Sequence, residues 1–407
     1  MLVLMWEQIR SNQIKSAMLV VWMGVVLLLL GYFLGMYFFD NGIAGLIFAL
    51  VIWLIMSLVA YFQGDSILLA VSRARKIDRD DLPRVYNIVE EMKIASGLEA
   101  MPSIYVVDDP ALNAFATGRD PKKASVTVTS GLLQKLNRDE LQGVIGHEMS
   151  HIKNRDVLLM AMCSVLLGTI VILAWYASRV MIFGGMGGTR RSSSSGGGGG
   201  LGQIIIILVA IALMILAPIM AQLIYFAVSR RREYLADASS ALYTRYPEGL
   251  ASALEKIAAS PVQLKSANKA TAPMYTVNPF RKQGMAASDL TSTHPPISDR
   301  IRILRSMGGA SFADYAQAYR KVRNTSQVII PTAATAAVGT VALRAPQPGA
   351  PEKVEEVQRV RETSNLMWNL NDYKTITCKC GTKLRLPPHF KLSPVRCPHC
   401  GRMNPVV

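Results

Sequence analysis

His147-Glu148-Met149-Ser150-His151 places two imidazoles and a carboxylate within five residues, the chemistry-bearing side chains that stand out most in the chain. Residues four apart on a helix share one face, so both rings can converge on one metal ion. Glu148, beside the first ring, then reaches a water on that ion. Paired ligands and a general base on one turn are what zinc-assisted hydrolysis requires. A catalytic zinc also needs a third protein ligand and an open fourth position. Glu233 is the candidate, because it begins a helix and carries Asp237 one turn on. That spacing lets Glu233 ligate while Asp237 accepts a hydrogen bond from a ligand imidazole, with His147 the first choice. Asp156 lies too close to His151 on the same segment to ligate and reads as a cap or structural residue.

Whether Glu233 can meet His147 depends on what separates them. Hydrophobic residues make up 51% of the 407-residue chain and charged residues only 18%, a balance that points away from an ordinary soluble enzyme. Four apolar runs, at 17–39, 43–62, 157–183 and 204–228, are each long enough to cross a bilayer. The first lacks a small-residue cleavage site and reads as a retained anchor. The turn Asp40-Asn41-Gly42 carries no positive charge, whereas Arg10 and Lys15 precede the first hairpin and Arg73, Arg75 and Lys76 follow it. Both flanks, and with them both termini, are therefore expected in the cytoplasm. Two further crossings return the chain to the side it left, so Glu233 faces the same compartment as His147. The net charge of +16 fits anchoring to anionic lipid. Nucleic-acid binding is not expected, since no basic stripe is interleaved with aromatics.

Between the hairpins the pattern is that of a water-soluble α+β unit, with a helix at 82–95, strands at 102–107 and 124–129, and a helical segment from Gly131. Asp139 and Glu140 suit the N-terminus of the helix that carries the two histidines. A Gly- and Ser-rich connector at 184–203 joins the third and fourth runs. The expected division is a transmembrane hairpin at 1–64, catalytic halves at 65–156 and 229–323, a second hairpin at 157–228, a linker at 324–370 and a small module at 371–407. Within the linker, 352–365 reads as a short amphipathic helix. Cys378, Cys380, Cys397 and Cys400 form two knuckles in the last module, and four thiolates make a closed, structural zinc site of the ribbon type. His389 and His399 are alternative ligands there. Cys163, in an apolar run, reads as a small buried hydrophobe. Cysteines used this way do not form a disulfide framework and suit a reducing compartment.

The strings Asn-Ala-Phe-Ala-Thr-Gly at 113–118, His-Glu-Met-Ser-His-Ile-Lys-Asn-Arg-Asp at 147–156, Ser-Arg-Arg-Arg-Glu-Tyr-Leu-Ala-Asp at 229–237 and Thr-His-Pro-Pro-Ile-Ser-Asp-Arg-Ile at 293–301 occur in one order. Together they resemble the HtpX-type membrane metallopeptidases, relatives of the CAAX prenyl-protein endopeptidases, over about residues 15–305. The resemblance implies a mainly α, gluzincin-like zinc endopeptidase of the cytoplasmic membrane that acts on membrane proteins in quality control. It implies His147, His151 and Glu233 as ligands, Glu148 as base, and Asn113, Ala114, Phe115, Ala116 and Thr117 as an edge that pairs with an extended substrate. It also makes His294 a candidate substrate or oxyanion contact. The cysteine module is outside the resemblance and reads as a docking or substrate-recruiting appendage. Prenyl-protein processing is the neighbouring reading, and a membrane-anchored adaptor with a dead peptidase site is the rival from another class. The four intact strings count against the rival.

Overall fold

The computed structural model describes residues 2–184, 230–265, 275–277, 295–330, 341–347, 352–390 and 394–405, with single residues at 211, 215, 219, 335 and 339. The run at 204–228 and the 184–203 connector fall almost entirely outside the described residues. His294 and the side chain of Cys163 lie outside them as well.

Helix α1 (Leu2–Phe39) begins well ahead of its apolar stretch and pairs with α2 (Gly42–Val71). Asn41 caps α2, its side chain accepting the Ala44 N–H at 3.1 Å. Among the described residues, α2 and the Asp156–Trp175 part of α6 (Asp156–Gly184) are long and apolar enough to cross a bilayer, and α1 holds a shorter apolar stretch, Val20–Met36. The outer face of α2 presents Ile47, Phe48, Leu58 and Phe62, each more than half exposed. A helix apolar on every side needs lipid or protein around it, because water would leave that surface unsatisfied. Met23 and Leu27 of α1, Ala49 of α2 and Leu159, Leu166 and Ile170 of α6 form one apolar cluster, which ties the three long helices together.

Beyond α2 a four-stranded sheet has the order β1 (Arg75–Ile77), β2 (Ser103–Val107), β4 (Ser125–Thr129), β3 (Ala114–Thr117). The β2–β4 pair is parallel and the outer pairs are antiparallel, so β3 is an edge strand. Helix α3 (Pro83–Ser96), the short α4 (Ser130–Lys135) and α5 (Arg138–Lys153) pack with the sheet through a core that includes Val85, Ile88, Val126, Val128, Leu132 and Met149. Asn137 and Glu140 close a capping box at the start of α5. Glu140 also accepts Ser252 Oγ and Lys256 Nζ, both at 2.8 Å, from α8 (Pro247–Ala259). A methyl group added at Gly143 would stand 2.6 Å from the Leu250 nitrogen, and one at Gly146 would stand 3.2 Å from Ser240 Oγ. These two glycines let α8 and α7 (residues 230–244) lie close against α5, and Ser240 Oγ donates to Gly143 O at 2.7 Å. Helices α9 (Ile297–Arg305) and α10 (Phe312–Arg323) complete this unit.

The segment read as a linker is bound to the catalytic unit at several points. Val341 O accepts the Ala310 N–H at 2.8 Å, and Arg344 Nη2 donates to Asp139 Oδ1 at 2.7 Å and Gln142 Oε1 at 2.9 Å. Helix α11 (Glu352–Leu370) is longer than the amphipathic stretch at 352–365, and it buries Arg359, Thr363 and Leu366 where it packs on α4. Two small hairpins follow, β5 (Lys374–Thr377) with β6 (Lys383–Leu386) and β7 (Val395–Arg396) with β8 (Met403–Asn404).

Candidate metal and active site

The last two turns of α5 carry His147, Glu148 and His151, all buried. Helix α7 brings Glu233 against them. His147 Nε2 lies 3.2 Å from His151 Nε2 and 3.6 Å from Glu233 Oε2, and His151 Nε2 lies 3.5 Å from Glu233 Oε1. Ligand atoms bound tetrahedrally at ordinary zinc distances lie about 3.3–3.6 Å from one another. The three donors therefore have both the chemistry and the spacing of a zinc site with one position left over.

Each imidazole is oriented from behind. His147 Nδ1 lies 3.0 Å from Asp237 Oδ1, and His151 Nδ1 lies 3.2 Å from Asp156 Oδ2. Such carboxylates hold the ring and its tautomer so that Nε2 faces the metal. Asp156 reaches His151 because the chain reverses at Arg155, whose φ of 58° is left-handed, before α6 begins. Asp156 is thus the first residue of α6 and a partner of the second histidine. The break between the two helices is the only sequence signal of that contact. Arg232 Nη1 lies 3.4 Å from the other Asp156 oxygen.

Arg300 of α9 is fully buried and grips Asp237 with two donors, Nη2 to Oδ1 at 2.6 Å and Nε to Oδ2 at 2.8 Å. Its Nη1 lies 3.5 Å from Glu233 Oε2, and its Nη2 lies 3.5 Å from His147 Nδ1. Burial opposes charge on Asp237, but the Arg300 guanidinium overrides it and holds the carboxyl below its usual range. Burial likewise opposes charge on His147, yet hydrogen bonds to Asp237 and Glu233 outweigh it and raise the imidazole to about 9. Carboxylates that favour an imidazolium also favour a metal cation in the same place. The folded value is raised above the reference 6.5, so this stabilisation is complete below pH 6.5 and is lost as the pH rises through about 9. In metal-stripped protein the thermal midpoint should fall across that interval, and Asp237→Asn should flatten the fall. A midpoint that rises with pH across the same interval would contradict it.

Glu148 Oε1 accepts the Thr276 hydroxyl at 2.7 Å. Thr276 sits in a polar stretch with no sequence signal for a role here. Phe115 and the rest of Asn113–Thr117 are buried along the β3 edge, and Asn113 is fastened to Val277 by its side-chain amide. His294 directly precedes the described residues at Pro295 and is not placed.

The four C-terminal thiols form a second cluster, the ligand atoms all within 4.8 Å of one another. Cys378 Sγ lies 3.5 Å from Cys400 Sγ and Cys380 Sγ lies 3.7 Å from Cys397 Sγ, near the roughly 3.8 Å of a tetrahedral zinc thiolate. Gly381 and Gly401, at φ 87° and 72°, follow the second cysteine of each knuckle and turn the backbone back toward it. Contact with Thr382, through its hydroxyl and then its backbone, lowers the Cys380 thiol to about 5, toward the form that binds metal.

Residues 76–308 match the family model "Peptidase family M48". A "Protease HtpX homolog" of Dictyoglomus turgidum is 46% identical over 303 residues, which cover 74% of this chain and 95% of the relative. Similar proteins of the same description from Caldanaerobacter subterraneus and Lactobacillus helveticus are 43% and 40% identical, with 98% and 100% of the relative covered. No solved structure gives a significant match. With the two imidazoles and Glu233 gathered between α5 and α7, and with that match spanning more than half of its length, the chain belongs to peptidase family M48 as an HtpX-type membrane zinc metalloprotease.

Proposed function

We propose that the protein is a four-span endopeptidase that hydrolyses misfolded or damaged membrane proteins at the cytoplasmic face of the bilayer. The observation that carries this reading is the geometry of His147, His151 and Glu233, whose donor atoms are spaced for zinc at the point where α5 turns into the membrane-length helix α6. Zinc, when bound, polarises the scissile carbonyl and lowers the pKa of a coordinated water. Glu148 takes the proton of the attacking water and passes it to the leaving amine. His147 and His151 are kept in register by Asp237 and Asp156, and Glu233 completes the ligand set. Residues 113–117 pair with the substrate as an added strand, which selects unfolded segments over folded ones. His294 is a candidate contact for the developing oxyanion. The second hairpin, 157–228, divides the catalytic unit into halves at 65–156 and 229–323 and returns the chain to one side of the membrane. The partners are membrane-protein substrates and the lipid bilayer.

The cysteine module would hold a second, structural zinc, outside residues 76–308 that match the family model. The full-length protein should carry two zinc ions and cleave an unfolded membrane protein in a chelator-sensitive reaction. Cys397→Ser should reduce the count to one. A count of one in the parent, or no loss in the variant, would remove the ribbon site from this reading. Cleavage insensitive to chelator would remove the catalytic one.

A further inference from the structure

The edge proposed to receive substrate already holds a peptide of the same chain. Asn113 O accepts the Thr129 N–H at 3.1 Å, so within the β3–β4 ladder residues 113, 115 and 117 turn their peptide groups toward β4. Ala114 and Ala116 turn theirs outward, where an added strand would bond. The outward carbonyl of Ala114 accepts the Thr276 N–H at 2.9 Å. Asn113 clamps the next residue, its Nδ2 donating to Val277 O at 2.9 Å and its Oδ1 accepting the Val277 N–H at 3.3 Å. Thr276 O accepts Arg300 Nη1 at 3.2 Å. The Thr276 hydroxyl stands 2.9 Å from Ala114 O and 2.7 Å from Glu148 Oε1, and its single proton goes to the closer acceptor. The Tyr275 ring meets Phe115 edge-on at 5.1 Å, with its hydroxyl 3.5 Å from Ser72 Oγ at the end of α2. All three residues are buried.

We propose that Tyr275-Thr276-Val277 is a resident occupant of the substrate edge, so that an extended peptide binds only after displacing it, and that Phe115 walls the subsite that receives an aromatic side chain. This rests on β3 being the substrate edge. The tripeptide makes the contacts a substrate strand would make: an N–H on the edge carbonyl, a carbonyl on the arginine beside the metal ligands, and a side chain on Phe115. Its hydroxyl also engages the group that must accept a proton from water. While it is seated, Glu148 is occupied. The apparent affinity for substrate is lowered by the fraction of molecules in which the segment is seated.

The test is binding without turnover, in zinc-loaded, full-length Glu148→Gln protein in detergent micelles. Fluorescence anisotropy would follow a fluorescein-labelled Ala-Ala-Tyr-Thr-Val-Ala-Ala peptide, with zinc content checked for every variant. Tyr275→Ala and Thr276→Val, each made in the Glu148→Gln background, should tighten binding about ten-fold, because each loosens the seated segment and raises the competent fraction. Equal or weaker binding in both would overturn self-occupancy and leave the segment as a fixed wall of the site. A second probe, methylated on alternate backbone nitrogens, separates this from the parent reading. If the methylated peptide binds as well as the first, substrate does not add to β3 and the proposal falls with it. If methylation abolishes binding and the two variants bind no tighter, only self-occupancy falls.

Discussion

Glu148→Gln should leave the protein folded and zinc-loaded while peptidase activity drops by about 10²–10⁴, the usual contribution of a positioned general base. The substitution is nearly isosteric. A glutamine oxygen still accepts the Thr276 hydroxyl that now donates to Glu148 Oε1 at 2.7 Å, so the buried contact survives. His147, His151 and Glu233 are untouched, and metal stoichiometry should equal that of the parent. What is lost is the capacity to take a proton from water, since an amide cannot be protonated near neutral pH. The measurement is cleavage of an unfolded membrane protein beside zinc content on the same preparation. A variant that cleaves at the parent rate would remove Glu148 from its role. A variant that is inactive because it has lost zinc would show that Glu148 supports the site rather than the chemistry. His151→Ala gives the contrasting pattern, in which metal and activity disappear together.

The residues legible in the sequence are those whose roles follow from spacing along one element. His147 and His151 are four apart on α5, and Asp237 lies one turn beyond Glu233 on α7. Counting apolar runs was needed to place α7 beside α5, and the closeness of that approach rests on Gly143 and Gly146, which spacing alone does not mark as contact positions. The pattern identified the strands Ser103–Val107 and Ser125–Thr129, because both runs are β-branched and apolar, but not their parallel pairing. It did not show that Ala114–Thr117 is a strand in its own right, since two small residues there give a weak alternation.

Contacts made across chain reversals were not legible. Asp156 meets His151 only because Arg155 adopts a left-handed conformation, and Thr276 reaches Glu148 from more than a hundred residues away. The strap at 341–347 reads from composition as linker, and helix α11 only as a shorter amphipathic stretch within it. They are fixed by backbone hydrogen bonds, from Ala310 N–H to Val341 O and from Arg344 N–H to Arg245 O, and by the burial of Leu366, none of which leaves a compositional trace. Backbone acceptors are common to every residue, so a segment that docks through them resembles a tether in sequence.

Arg300→Met should cost about 3–5 kcal/mol of stability, the usual loss when one partner of a buried ion pair is removed. The arginine is completely buried and satisfies both oxygens of Asp237, while its Nη1 also lies 3.5 Å from Glu233. Methionine fills much of the volume, so the loss comes from charge rather than from a cavity. Among the described residues, Asp237 would be left with His147 as its one cationic partner, since Tyr315 offers a neutral hydroxyl at 3.5 Å. The carboxylate must then take up a proton or draw one onto His147, and an imidazolium cannot ligate zinc. Zinc affinity should accordingly fall about 10–100-fold, as it does when orienting partners are removed. Arg300→Lys should recover little, because an ammonium cannot reproduce the two-donor grip on one carboxylate. The pairing with Asp237→Asn is diagnostic: with both charges gone, the double variant should be more stable than Arg300→Met alone. Thermal midpoints and zinc competition against a chelator, measured on all four proteins, decide it. Strictly additive losses would mean that Arg300 acts by packing. A non-additive gain in the double variant would identify Arg300 as the counter-charge that keeps Asp237 ionised, and through it keeps His147 free to hold the metal.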